Sequence, residues 1–109
     1  MEIESCESVR RWTDDYARHW GESDPGLARN MTVLAEFCER EGKDPDAIVA
    51  ECLRTVEEGA RIRLKARRRY MASIEEFEKG HPLGRAAGNV VRSFLIHNGI
   101  AMSANVTRA

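Results

Sequence analysis

No stretch of this chain approaches the ~18 consecutive apolar residues of a membrane-spanning helix. The N-terminus, Met1-Glu2-Ile3-Glu4-Ser5, is acidic where a secretory signal carries positive charge ahead of an apolar run. Both absences set the expectation of a soluble, cytoplasmic protein. Cysteine is scarce as well: Cys6, Cys38 and Cys52 are odd in number and widely spaced, with no C-x-x-C pair to hold zinc or run thiol–disulfide exchange. Cys38 and Cys52 therefore read as small core residues. Aromatics make up only 6% of the chain. Trp12, Tyr16, Phe37, Tyr70, Phe77 and Phe94 fall on apolar stripes, which leaves Trp20 as the one aromatic placed to act as a stacking platform for bases.

Catalytic signatures are missing too. His19, His81 and His97 lie in no nucleophile–base pattern. His81, ahead of Pro82, suits a turn contact, and His97 suits the negative end of a helix dipole. Asp14-Asp15, Glu57-Glu58 and Glu75-Glu76 are adjacent pairs on predicted helices, so their members point about 100° apart and do not converge. There is no G-x-x-x-x-G-K-[ST], G-x-G-x-x-G or H-E-x-x-H. The chain is expected to be no enzyme and to take no metal and no cofactor.

What the sequence does hold is charge, unevenly placed. The 109 residues suffice for one domain. Their net charge of −1 divides into 15 acids and 7 bases over residues 1–58, against 3 acids and 10 bases over residues 59–109. Arg61, Arg63, Lys65, Arg67, Arg68 and Arg69 crowd six positive charges into nine residues, a footprint for polyanion binding.

Apolar residues recur at three- and four-residue intervals, and no sustained alternation bounded by hairpin turns is present, which predicts an all-α bundle of four to five helices over residues 1–100. Residues 101–109 read as a linker or frayed tail. The first helix runs from about Ser5 or Glu7 to Trp20, with Val9, Trp12 and Tyr16 on one stripe. Asp24-Pro25 opens a second, burying Leu27, Met31, Leu34, Phe37 and Cys38 and stopping at Gly42. Asp44-Pro45 opens a third with Ile48, Val49, Cys52, Leu53 and Val56 inward, and Gly59 marks its end or a kink. The fourth spans about Arg61 to Lys79, with Ile62, Ala66, Tyr70, Ile74 and Phe77 on its apolar face. Arg61, Lys65 and Arg68 share another face, with Arg69 nearby. Like charges four apart, as in Arg61 with Lys65, repel until a polyanion docks. A fifth helix, about Leu83 to His97, turns Leu83, Ala87, Val90, Val91, Phe94 and Leu95 inward and Arg85, Asn89, Arg92 and Ser93 outward, and ends at Asn98-Gly99. Gly84 and Gly88 predict close approach by another helix.

The pattern Gly80-x-Pro82-Leu83-x-x-x-Ala87-x-x-x-Val91-Arg92-Ser93-Phe94-Leu95-x-x-Asn98-Gly99-Ile100 resembles the closing helix of the N-terminal core-binding domain of tyrosine recombinases, the phage-integrase family. Upstream, Leu34, Phe37 and Cys38 before the turn Gly42-Lys43-Asp44-Pro45-Asp46, and Tyr70, Ile74 and Phe77, resemble the middle of such domains, so that the likeness covers about residues 9–105. It implies a SAM-like helical bundle that clamps double-stranded DNA opposite a separate C-terminal catalytic domain. The contacts carried over are Arg61, Lys65, Arg68 and Arg69 on the basic helix and Arg85, Asn89, Arg92 and Ser93 on the final one. Neither Tyr16 nor Tyr70 lies in the family's nucleophile motif, and its catalytic Arg and His residues are absent from this stretch. The alternative is a helical protein-interaction domain whose oppositely charged halves associate with each other.

Overall fold

The computed structural model describes residues 3–20, 26–56 and 59–100, the side chains of residues 16–20, 55, 56 and 60 excepted. Its elements follow in the order α1 (Glu7–Trp20), α2 (Gly26–Glu41), α3 (Pro45–Cys52), β1 (Leu53–Val56), β2 (Gly59–Ile62), α4 (Leu64–Gly80) and α5 (Arg85–His97). The described residues are all-α apart from one two-stranded hairpin. None of the described helices is long and apolar enough to cross a membrane.

Local chemistry sets most of the helix ends. Asp44 takes an extended backbone and its side chain accepts from the Ala47 amide at 2.7 Å, with Pro45 in the first turn. This is an N-cap followed by the residue whose missing N–H leaves nothing unsatisfied. At the end of α2, Gly42 has φ 72°, and the amides of Gly42 and Lys43 return to the carbonyls of Glu39 and Cys38. Gly99 repeats the motif after α5 with φ 88°, its amide on Ile96 and that of Ile100 on Leu95. The predicted Asp24-Pro25 start, the stacking role of Trp20, the Tyr16 and His19 side chains and the tail 101–109 lie outside the described parts.

The core forms where the five helices face one another. Trp12, Leu34, Phe37, Cys38, Ile48, Cys52, Tyr70, Ile74, Phe94 and Leu95 are wholly buried. Trp12 meets Phe94 edge-on at 5.7 Å, and Phe37 meets Phe77 at 5.3 Å, geometries that add to the stabilisation from burial alone. Trp12 Nε1 donates to Ser93 Oγ at 3.2 Å. Asn98, itself buried, donates to the carbonyls of Ser8 and Phe94 and accepts from Arg11, joining the start of α1 to the end of α5. Asp46 reaches from α3 to accept both the amide and the hydroxyl of buried Ser8.

Three expectations about the elements are corrected. The third helix stops at Cys52 rather than continuing to Val56, the fourth begins at Leu64 rather than Arg61, and between them residues 53–56 and 59–62 pair as antiparallel strands. Leu53 pairs with Ile62 and Arg54 with Arg61. Leu53 and Ile62 pack on the core, while Gly59, at φ 127°, supplies a backbone angle that side chains rarely adopt. The spacing Ile48, Cys52, Val56 mimics a helix, but burial of Leu53 and Ile62 on one face of a strand pair prevails. Leu83, read as inward, is 39% exposed because α5 begins only at Arg85.

Candidate nucleic-acid interface

Arg54 and Arg61 sit directly opposite each other on the hairpin. Cross-strand neighbours of like charge are destabilising, so this register leaves an unrelieved cationic pair on the surface. The chain then enters α4 through Arg63, Leu64 and Lys65. The helix opens with Arg63 at the cap position, no side-chain capping bond and no acid in its first turn. This places positive side chains where the helix dipole is already positive and leaves first-turn amides for another acceptor.

These residues border a groove of about 990 Å³ between α3, the hairpin and the start of α4. Ala47, Ala50, Ile62, Leu64 and Ala66 form its apolar floor; Arg54, Arg61, Arg63, Lys65 and Arg69 form a basic rim. Leu64 is 60% exposed there. Arg54, Arg61, Arg63 and Lys65 are exposed, and the ion pairs found among the described residues engage none of the four.

One wall of the groove is locked by a polar cluster. Glu51 accepts from Lys43 Nζ at 2.7 Å, from Arg69 at 3.0 Å and from the Tyr70 hydroxyl, while Lys43 also donates to Tyr70 at 3.2 Å. Arg69 lies over the Tyr70 ring, 5.1 Å from its centre. Hydrogen bonds from Lys43 and Tyr70 hold the Glu51 carboxyl below its ordinary range. Bonds to Glu51 and Tyr70 raise Lys43, and burial, followed by the bond to Glu51, raises Tyr70. At neutral pH the cluster is thus an ionised carboxylate held by an ammonium and a protonated phenol. Its effect is to fix α3 on α4.

The residues singled out from the sequence divide between two places. Arg61, Lys65 and Arg69 come together at the groove, with Arg61 on β2 rather than on a helix. Arg68 is exposed on α4 but does not line the groove. Arg85 and Arg92 line a separate depression with Glu75, Glu78 and Lys79. Glu78 lies 13 residues beyond Lys65, roughly 20 Å along the helix and about 140° around it.

Arg92 donates to Glu78 at 2.6 Å and to Asn89 at 3.0 Å, and Ser93 is the partner of Trp12. The contacts expected on the basic helix and on the final helix therefore do not meet on one surface, and α5 spends Arg92 and Ser93 on holding the bundle together. Arg54 and Lys43 were not singled out. Arg54 stands alone in the sequence and only the hairpin register brings it to Arg61. The one available signal was the short alternation Leu53-Arg54-Thr55-Val56 before a glycine.

Among the described residues no group of three or more His, Cys, Asp and Glu side chains is placed to hold a metal ion. Comparison of the chain with protein-family models, with curated proteins and with solved structures finds no match.

Proposed function

We propose that this chain is a DNA-binding module that holds the phosphate backbone of a duplex on the hairpin and the first turns of α4. The observation that carries the reading is the register pairing Arg54 with Arg61 beside Arg63 and Lys65. Four exposed cations converge on one rim, where a polyanion relieves their mutual repulsion. The uncapped start of α4 adds amide donors of the kind that bind phosphate at helix N-termini. The resemblance to recombinase core-binding domains supplies the expectation that the partner is duplex DNA and that a separate catalytic domain performs any cleavage, this module clamping without reacting.

Fluorescence anisotropy with a labelled duplex at several salt concentrations tests it. Neutralising four phosphates gives a log–log salt slope of roughly −4. No binding at low salt overturns the reading. The competing reading, self-association through oppositely charged halves, draws on the division of charge along the chain. It predicts salt-sensitive oligomers by sedimentation that a duplex leaves untouched.

A further inference from the structure

The rim of the groove is cationic, but its lining is predominantly apolar. A fully stacked duplex meets only half of that description. Its phosphates satisfy the rim, while its convex backbone sets only the C–H edges of its sugars against Ala50, Ile62 and Leu64, far less apolar surface than the face of a base. A nucleotide swung out of the stack meets both halves at once. Its base offers two apolar faces to the floor, and the phosphates on either side of it are met by the rim cations Arg54, Arg61, Arg63 and Lys65. A groove of about 990 Å³ is ample for a base and its sugar. Guanidinium planes on the rim also serve as stacking partners for unstacked bases in place of aromatic rings. Leu64, 60% exposed and flanked in the chain by Arg63 and Lys65, is the large apolar side chain of the groove with most surface to gain from being covered.

We propose, building on the DNA-binding reading, that the groove receives an unpaired nucleotide, so that the preferred substrate is DNA whose base stack is already broken. Extruding a base from an intact duplex costs a few kcal/mol of stacking and pairing, and least where the base is already unpaired. A duplex with one unpaired nucleotide avoids most of that cost and binds about tenfold more tightly than its fully paired counterpart.

The test uses the full chain and two labelled duplexes that differ only by a single central bulged 2-aminopurine nucleotide. Ala50, on the exposed side of α3, is replaced in Ala50→Phe to fill the groove. Leu64→Ser removes apolar floor without adding bulk, and serves where Ala50→Phe proves unstable in a thermal melt. The wild type binds the bulged duplex about tenfold more tightly and changes its 2-aminopurine emission; either variant brings the ratio of the two affinities near one. Equal wild-type affinity for the two duplexes overturns the groove proposal and leaves the DNA-binding reading standing. A bulge preference that survives in both variants overturns it as well. Failure of both duplexes to bind at low salt removes both readings, and binding of an acidic amphipathic peptide in their place assigns the groove to a protein partner.

Discussion

Ser93 illustrates how a residue of suitable chemistry and position is claimed by the fold. From the sequence it lies on the outer face of the last helix beside Arg92. In the structure its hydroxyl is the acceptor for the indole N–H of Trp12, a side chain with no exposure. A buried indole donor needs a partner, and deleting it leaves the penalty of an unsatisfied group. Ser93→Ala is therefore expected to lower unfolding free energy by about 1 kcal/mol, read from the urea midpoint, since half-exposure of the site lets water replace part of the bond. Duplex affinity should stay within about twofold of the wild type, and a larger loss would return Ser93 to the binding surface. The cysteines were legible at this scale: Cys38 and Cys52 are buried, and burial pushes their thiols up to about 12 and about 11. The partner of Trp12 was not, because it lies 81 residues away.

At the scale of elements, caps and apolar periodicity were readable wherever the helix was long or its ends carried their own chemistry. Asp44-Pro45, Gly42 and Gly99 all act as their residue types dictate. Of the two glycines read as points of close approach, Gly88 is one, since a Cβ there would collide with the Glu78 carboxylate, while Gly84 has open space beside it. What approaches is a side chain bound to Arg92 rather than a bare helix backbone. The hairpin was not readable, because four residues of alternation are too few to outweigh a helical spacing that runs through them, and Glu57-Glu58 lacks the turn chemistry of Asn-Gly.

That same hairpin separates stability from function. Arg61→Glu turns a repulsive cross-strand pair into an attractive one, worth about 0.2–1 kcal/mol. Thermal melts are expected to move upward while duplex binding weakens and its salt slope becomes shallower by about 1. A variant that is less stable, or that binds unchanged, contradicts the assignment of this pair to a phosphate.

The whole molecule behaves as a set of ionised clamps around thiols and a phenol that must remain neutral, and its stability should therefore be bounded on both sides in pH. On the acid side, Glu51 is held below its ordinary value of 4.5 by Lys43 and Tyr70. Asp46 is held below 3.8 because the Ser8 hydroxyl and the neighbouring amides outweigh the opposing effect of burial. Groups depressed in the folded state stabilise it above their unfolded values and lose that contribution as pH falls through the folded ones. Stability should therefore decline from near pH 4.5 downward, loosening α1 from α3 at Ser8 and α3 from α4 at Glu51.

On the alkaline side the signs reverse. Burial raises Cys38 from 9.0 to about 12 and Cys52 to about 11, so the unfolded thiols ionise first and stability falls as pH rises from 9 through those values. Tyr70 and Lys43, both raised, add to the same decline. Urea midpoints measured from pH 3 to pH 11 should trace a plateau between these two declines. Glu51→Gln is expected to lower the plateau by weakening the Lys43–Tyr70–Arg69 cluster and to flatten the part of the acid limb that Glu51 controls, leaving the part set by Asp46. A variant whose acid limb matches the wild type would show that the wall of the groove is held by packing of α3 on α4 rather than by the Glu51 charge.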